Sequence, residues 1–273
     1  MSMAVSAEQG RSRPFQVSLK HRVRLGRVAF GISLLLIWHF LALSSGPDVI
    51  AAPLDVASRI GELLSSSIFY VHLRTTFTEA AVGLLIGTAV GVALPLLLRL
   101  SDRLTLAMLP YIRGSMGIPK LALAPLFIIW FGFGVESKIA LVILIVFIMV
   151  FEGAFAGVNS VDRRLVIMAK ILNASEAQVT RKVVLKSIMP FIFAALKTAV
   201  PFAFNAAIVG EFLSSQTGLG NMITTAMGMG DVTGVFAGVT IVATITVLLD
   251  AGLSRVRSRS LAWQTVDKRA MVQ

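Results

Sequence analysis

The 273-residue sequence has no cysteine, only three histidines, and 14 acidic residues against 25 basic ones. Without cysteine there is no disulfide framework, no thiol nucleophile and no thiolate-held metal. His21, His39 and His72 lie far apart, and no His-Glu-x-x-His or comparable ligand cluster occurs. His39, near the end of an apolar run, reads as an interfacial residue. No Gly-x-x-x-x-Gly-Lys-Ser/Thr loop is present, so the chain does not bind ATP through the usual phosphate cradle. No serine, histidine and aspartate set is singled out either. Charge is also scarce: 14% of residues are charged and 56% are hydrophobic. An ordinary soluble domain is about 25% charged, and these clustered charges are too few to coat one. The remaining class is a polytopic membrane protein. Its net charge of +11 fits basic cytoplasmic loops, and no basic cluster carries the interleaved aromatics expected for nucleic-acid binding.

Residues 1–27 form a basic, cytoplasmic tail, and an apolar run follows from Val28 to Ser45. That run exceeds the apolar core of a signal peptide and lacks a clean small-x-small cleavage site, so it reads as an uncleaved first span. Further spans are predicted at Thr75–Leu98, Leu104–Phe133, Glu136–Val158, Ile188–Leu213 and Asp231–Leu253, the third broken by Gly114, Gly117 and Pro119. Each is near or above the ~20 residues that cross a bilayer as a helix. The fold class is therefore all-α, a bundle of about six membrane helices without strands. A transmembrane domain covers 72–254, with a loop at 159–187 and a second cytoplasmic tail at 255–273.

Orientation follows from Lys and Arg. With the N-terminus inside, inner segments hold 19 and outer segments only Arg59, Arg74 and Lys138. The excess places both termini and the 159–187 loop in the cytoplasm.

Gly83, Gly87 and Gly91 recur every fourth residue and leave a bare stripe where another helix can approach, either within this chain or at a subunit seam. Pro95, Pro119, Pro190 and Pro201 each delete a backbone donor in or beside a span. Such breaks are structural kinks, or they suit helices that move or line a route, and four in one small bundle favour the second.

The segment NSVDRRLVIMAKILNASEAQVTRKVVLKS, 159–187, predicts two short helices at the membrane face. The first runs to Leu172. Asn173 breaks it, and Ser175 with Gln178 three residues on opens the second as a capping box. Leu165, Met168 and Leu172, with Ala177, Val183 and Val184, supply apolar faces that either pack on the bundle or dock a soluble partner.

From Ala52 to Trp263 the chain resembles the permease subunit of bacterial ABC importers of the nitrate, taurine and alkanesulfonate group. The resemblance rests on APLDV at 52–56, PKLALAPL at 119–126 continuing to Trp130-Phe131-Gly132, VDRRL at 161–165, Leu172-Asn173-Ala174-Ser175, Arg181-Lys182-Val183-Val184-Leu185, Gly210-Glu211-Phe212-Leu213 and Gly218-Leu219-Gly220. The family's cytoplasmic signature keeps its spacing. Its Glu-Ala-Ala falls on Ile167, Met168 and Ala169, its Gly on Asn173, and its Ile, Leu and Pro on Val183, Leu185 and Lys186. The lost Glu is a lost polar contact to an ATPase. Asn173 is a mild change, because Asn after Gly best tolerates a left-handed backbone.

The resemblance implies the type I importer fold and a role in binding and conformational change, with no catalysis by this chain. It implies two permease subunits, identical or of two kinds, in the bacterial inner membrane. Two ATPase subunits below carry ATP and magnesium, this chain binds no cofactor, and a substrate-binding protein outside delivers a small polar or anionic solute such as a sulfonate, taurine or nitrate. The loop around Ala174 to Lys182 would transmit ATPase closure, with Ile167, Met168, Ala169, Asn173, Ser175, Arg181, Leu185 and Lys186 at the contact. Lys197 aligns with a basic position, nine residues beyond Ile188 and roughly 14 Å along the fifth span. An ammonium at that depth costs about 2.5 to 3.5 kcal/mol and needs compensation. It forms a structural pair with Glu79 or Glu152, or it faces the translocation path with Pro201, Asn205 and Glu211. The competing class is a secondary transporter or channel that works without an ATPase. It would need Glu79, Glu136, Glu152 or Glu211 as coupling or selectivity residues.

Overall fold

The computed structural model describes residues 19–260, so the outer parts of both basic tails, 1–18 and 261–273, lie outside the described residues. Every regular element within that range is helical. In chain order these are α1 Leu19–Ser45, α2 Pro53–Ser65, α3 Ser67–Leu98 and α4 Asp102–Met116. A tight turn of helix at Lys120–Leu123 leads into α5 Ala124–Phe131, followed by α6 Val135–Asn159, α7 Arg163–Ile171 and α8 Glu176–Val179. One π-helical turn, Thr180–Val184, joins α8 to α9 Leu185–Ser214, and α10 Leu219–Gly228 and α11 Val232–Ser260 complete the chain.

Five of these helices are long and apolar enough to cross a membrane, and α4 with the Lys120–Phe131 segment makes a sixth if the bent pair is one span. The two halves of that pair meet at 89°. Pro119 is the cause, since it lacks an N–H and pushes the residue before it out of helical geometry. Other boundaries shift for physical reasons. α3 begins two turns before the predicted Thr75 and includes polar Ser67, His72 and Arg74. α1 begins at Leu19, so Lys20, Arg22, Arg24 and Arg27 belong to a helix that continues out of the apolar run.

The core is a three-helix stack of α3, α6 and α9. Val142, Val146, Val150 and Ala154 line the middle of α6 and are fully buried, as are Ala199 and Ala207 on α9. The glycine stripe of α3 lies against α6. A Cβ at Gly87 would stand 2.9 Å from the Ile143 carbonyl and 2.9 Å from Val146 Cβ, and one at Gly91 3.0 Å from Val150 Cβ. On its other side α6 approaches α9 through Gly153, facing Ala195, and Gly157, facing Ile188 and Phe191. Missing side chains on two faces of one helix let three backbones pack closely.

α1 meets the bundle through Trp38, toward its C-terminal end. Trp38 Nε1 donates to the Ala51 carbonyl at 3.0 Å, and its ring stacks on Phe236 at 5.9 Å. The short helices α2 and α10 lie at the same end of the bundle, in segments whose spacing offered only connections. Arg59 on α2 bridges to Asp231, just before α11, at 3.0 Å. The hydrogen bond to Glu62, with the nearby Asp231 carboxylate, raises the pKa of that guanidinium further.

Candidate functional site

At the opposite end, α7 and α8 form a rigid outwork. The Asp162 carboxylate accepts the Arg164 N–H at 2.8 Å and starts α7. Asn173 stops it with φ +57°, the only non-glycine residue with positive φ among those described. The Asn173 N–H reaches the Lys170 carbonyl at 2.9 Å and the Ala174 N–H reaches Ala169 at 3.0 Å, a Schellman termination. Ser175 then opens α8 with both halves of the capping box. The Gln178 N–H donates to Ser175 Oγ at 3.3 Å, and the Ser175 N–H donates to Gln178 Oε1 at 2.9 Å. Glu176 ties this turn to its neighbours through Lys170 at 2.7 Å and Arg99 at 3.4 Å, and Arg99 also donates to Thr180 Oγ1 at 2.8 Å.

Of the two uses open to these apolar positions, packing on the bundle falls to a different set on α7. Val166, Ala169 and Ala174 turn inward against Val179, Val184 and Ile188. Of the anticipated apolar positions only Val184 is buried and Val183 half-buried. Leu165, Met168 and Leu172 are exposed with Ile167 and Ile171, and the last two of α7's outer row, Ile171 and Leu172, reach 73% and 75% exposure. Ala177, Arg181, Lys182 and Lys186 are exposed beside them, while Leu185 is half-buried. The outwork therefore presents an apolar row edged by cations.

Within the bundle, Lys197, Pro201 and Asn205 share one face of α9 at four-residue intervals. Lys197 and Asn205 are exposed on the single chain, and Pro201 is half-buried. The structural pair of Lys197 with Glu79 or Glu152 does not form: no ion pair of Lys197 exists among the described residues, Glu152 is exposed, and Glu79 lies in a separate buried group.

Glu211 departs from that face. It is 1% exposed. Its Oε1 accepts from Thr76 Oγ1 at 2.6 Å and its Oε2 accepts the Gly220 N–H at 2.6 Å. A side chain enclosed by α3 and the start of α10 has no surface to offer a solute in this conformation. Gly218, at φ +116°, passes so close to the Glu211 carboxylate that a Cβ there would overlap it, and its N–H donates to His72 Nδ1 at 2.9 Å. Glu79 is fully buried on α3.

Lys138 was expected in an exposed outer segment and is instead 2% exposed. Its ammonium donates to the Phe133, Gly134 and Ser214 carbonyls at 2.8, 2.9 and 2.9 Å, which clamps the start of α6 to the end of α9. Its place beside Glu136 at the head of an apolar run carried no signal of this; a charge count treats it as a loop cation.

The described residues thus form a bundle of apolar helices, five or six of them long enough to cross a membrane, with a polar face on α9 and an exposed apolar row on α7. The chain belongs to the family of binding-protein-dependent transport system inner membrane components, whose sequence pattern matches residues 77–260. It is 30% identical to the formylaminopyrimidine transport permease protein ThiX of Halalkalibacterium halodurans over 86% of this chain and 94% of that one. It is 32% identical to the putative aliphatic sulfonates transport permease protein SsuC of Bacillus subtilis, covering 79% and 78% of the two chains. The taurine transport system permease protein TauC of Escherichia coli is 32% identical over 70% of each. Among solved structures, an amino acid ABC transporter chain aligns with TM-score 0.59 at 18% identity, over 75% of this chain and 98% of its own. A chain of the MetNI methionine transporter aligns with TM-score 0.56 at 18% identity, over 72% and 96%. These likenesses establish the type I ABC importer permease fold. The chain is a multi-pass inner-membrane transport subunit and not an enzyme. It works with a separate ATPase that hydrolyses ATP, a substrate-binding protein and a second permease subunit.

Proposed function

We propose that this permease, paired with a second copy of itself, forms the path by which a small polar or anionic solute enters the cell, and that residues 159–187 receive the thrust of two ATPase subunits from the cytoplasmic side. The observation that carries this reading is the α7–α8 outwork, whose apolar row from Leu165 to Leu172 stands exposed on a frame fixed by the Asn173 turn and the Ser175 capping box. An apolar stripe on a short rigid helix suits a groove in a soluble partner. Ile167 stands where the family carries Glu, so the matching groove on the ATPase is apolar at that point.

The orientation rests on the 19 to 3 excess of cations, which puts both termini and the outwork inside. ATP and magnesium reside on the ATPase. For the cargo, relatives named for aliphatic sulfonates and taurine favour an anion, and the exposed Lys197 and Asn205 on α9 offer it a cation and an amide. The relatives named for formylaminopyrimidine and riboflavin widen the class to polar heterocycles.

Co-expression with the ATPase, affinity purification through the permease and native mass measurement test the assembly. The expected mass corresponds to two identical permeases and two ATPases. A second, different permease in the complex removes the homodimer, and absence of an ATPase removes the importer reading of this outwork.

A further inference from the structure

At the end of the bundle that carries α7, a cavity of about 470 Å³ opens between the end of α3, the start of α4, the end of α6 and α7. Its polar wall holds Arg99, Arg163 and Lys170, with Asp102 as the one lining carboxylate, and its other wall is apolar, with Phe155 and Val158. One Glu176 carboxylate serves both Lys170 and Arg99, while Arg163 has no ion pair among the described residues. The Arg163 guanidinium, exposed on the first turn of α7, offers the cavity a cation that no carboxylate among the described residues pairs with, and an anionic oxygen is what its chemistry calls for.

The cavity lies where two apolar spans end, at Leu98 and Asn159, the level at which lipid headgroups begin. Beside it in the chain, Leu97, Leu100 and Leu104 are exposed, a surface fit for acyl chains. A free anion would have no use for that apolar lip or for the apolar wall. Basic pockets between membrane helices on the cytoplasmic side hold anionic headgroups.

We infer that this cavity is a binding site for the phosphate headgroup of an anionic phospholipid of the inner leaflet, with Arg99 and Arg163 as its charged contacts. The site would fasten the α3–α4 junction and α7 to the membrane surface, so that the outwork turns against an anchored edge. The assignment to the inner leaflet rests on the proposed cytoplasmic orientation, and labelling at residue 160, described below, reads that orientation independently.

The test uses the purified complex of the full chain with its ATPase, stripped of lipid and then offered phosphatidylglycerol or phosphatidylcholine, with retained lipid counted by native mass spectrometry. The wild type should retain phosphatidylglycerol in preference to phosphatidylcholine, and excess inorganic phosphate should not displace it. Arg163→Gln should lower phosphatidylglycerol retention about fivefold without changing phosphatidylcholine, the effect of removing one cation near an anionic headgroup. Arg99→Gln should do the same, but it also loses Thr180 and Glu176; Arg163, exposed on the first turn of α7, carries the test if that variant fails to assemble. Equal retention of the two lipids overturns the inference, and so does Arg163→Gln with undiminished phosphatidylglycerol. Displacement by inorganic phosphate would mean a small-anion site. Retention by the permease alone that ATPase addition abolishes would mean that a partner side chain fills the cavity.

Discussion

Thr76 Oγ1 donates to Glu211 Oε1 across 2.6 Å and accepts the Leu219 N–H at 2.9 Å, so that one hydroxyl on α3 joins the end of α9 to the start of α10. The residues are 135 positions apart. Both are buried, and the Gly220 N–H and the tight passage of Gly218 complete an enclosure around the carboxylate. The short α10 and the turn before it are thereby made part of the three-helix core.

Removing this hydroxyl should be expensive. Thr76→Val keeps the shape but leaves a buried carboxylate oxygen and the Leu219 N–H without partners, at a cost of about 1 to 3 kcal/mol. Thermal unfolding of the solubilised chain should show Thr76→Val well below the wild type and Thr76→Ser close to it. Equal melting temperatures for Val and Ser would show that the bond contributes nothing.

The α3–α6 contact has no room for a side chain. Gly87→Val would drive a branched side chain against the Ile143 carbonyl and Val146, an overpacking that costs about 1 to 3 kcal/mol. Gly114→Ala is the control, since a Cβ there meets nothing within 4 Å. Loss of folded, monodisperse protein is expected for the first and not for the second.

Topology is open to labelling, because the native chain lacks cysteine. Ser160→Cys, after α6, should resist an impermeant maleimide applied to intact cells or spheroplasts, and Gln216→Cys, between α9 and α10, should react. The reverse pattern would invert the orientation.

The Asn173 turn should govern coupling more than stability of the spans. Asn173→Gly restores the residue that the family signature carries and accepts φ +57° freely. Asn173→Val is forced into a conformation that costs a side-chain-bearing residue about 1 to 2 kcal/mol. Substrate-stimulated ATPase in proteoliposomes should be kept or raised in the Gly variant and reduced in the Val variant, with both complexes assembled. The charge reversals Arg181→Glu and Lys182→Glu should together separate ATP hydrolysis from uptake, since both side chains are exposed on the turn leading into α9.

Lys197 separates path from packing. With no ion pair of Lys197 among the described residues to lose, Lys197→Met should assemble normally yet slow uptake of anionic solutes, while Lys197→Arg should keep anion transport. Wild-type anion uptake by an assembled Lys197→Met complex removes this face from the path.

The helical nature of the spans and the position of the break near Pro119 were legible because each rests on local chemistry: apolar length against bilayer thickness, and a proline that cannot donate. The α7–α8 outwork was legible for the same reason, since a cap at Ser175 and a left-handed turn at Asn173 are set by neighbours within a few residues. The side of α7 that faces the bundle was not. Leu165, Met168 and Leu172 and the set Val166, Ala169 and Ala174 are both sufficiently apolar to pack, and only the position of α8 and α9 selected the second. The same limit explains the buried charges. Lys138 read as an outer-segment cation and Glu211 as a residue of the path because hydropathy counts a charge as a visitor to water. The Ser214 carbonyl on Lys138 and the Thr76 hydroxyl on Glu211 come from helices remote in the sequence, and their convergence with the nearby Phe133 and Gly134 carbonyls and the Gly220 N–H made burial of those charges tolerable. Local patterns set the elements; which side chain is solvated, paired or exposed to a partner depends on atoms that only the assembled helices bring within hydrogen-bonding distance.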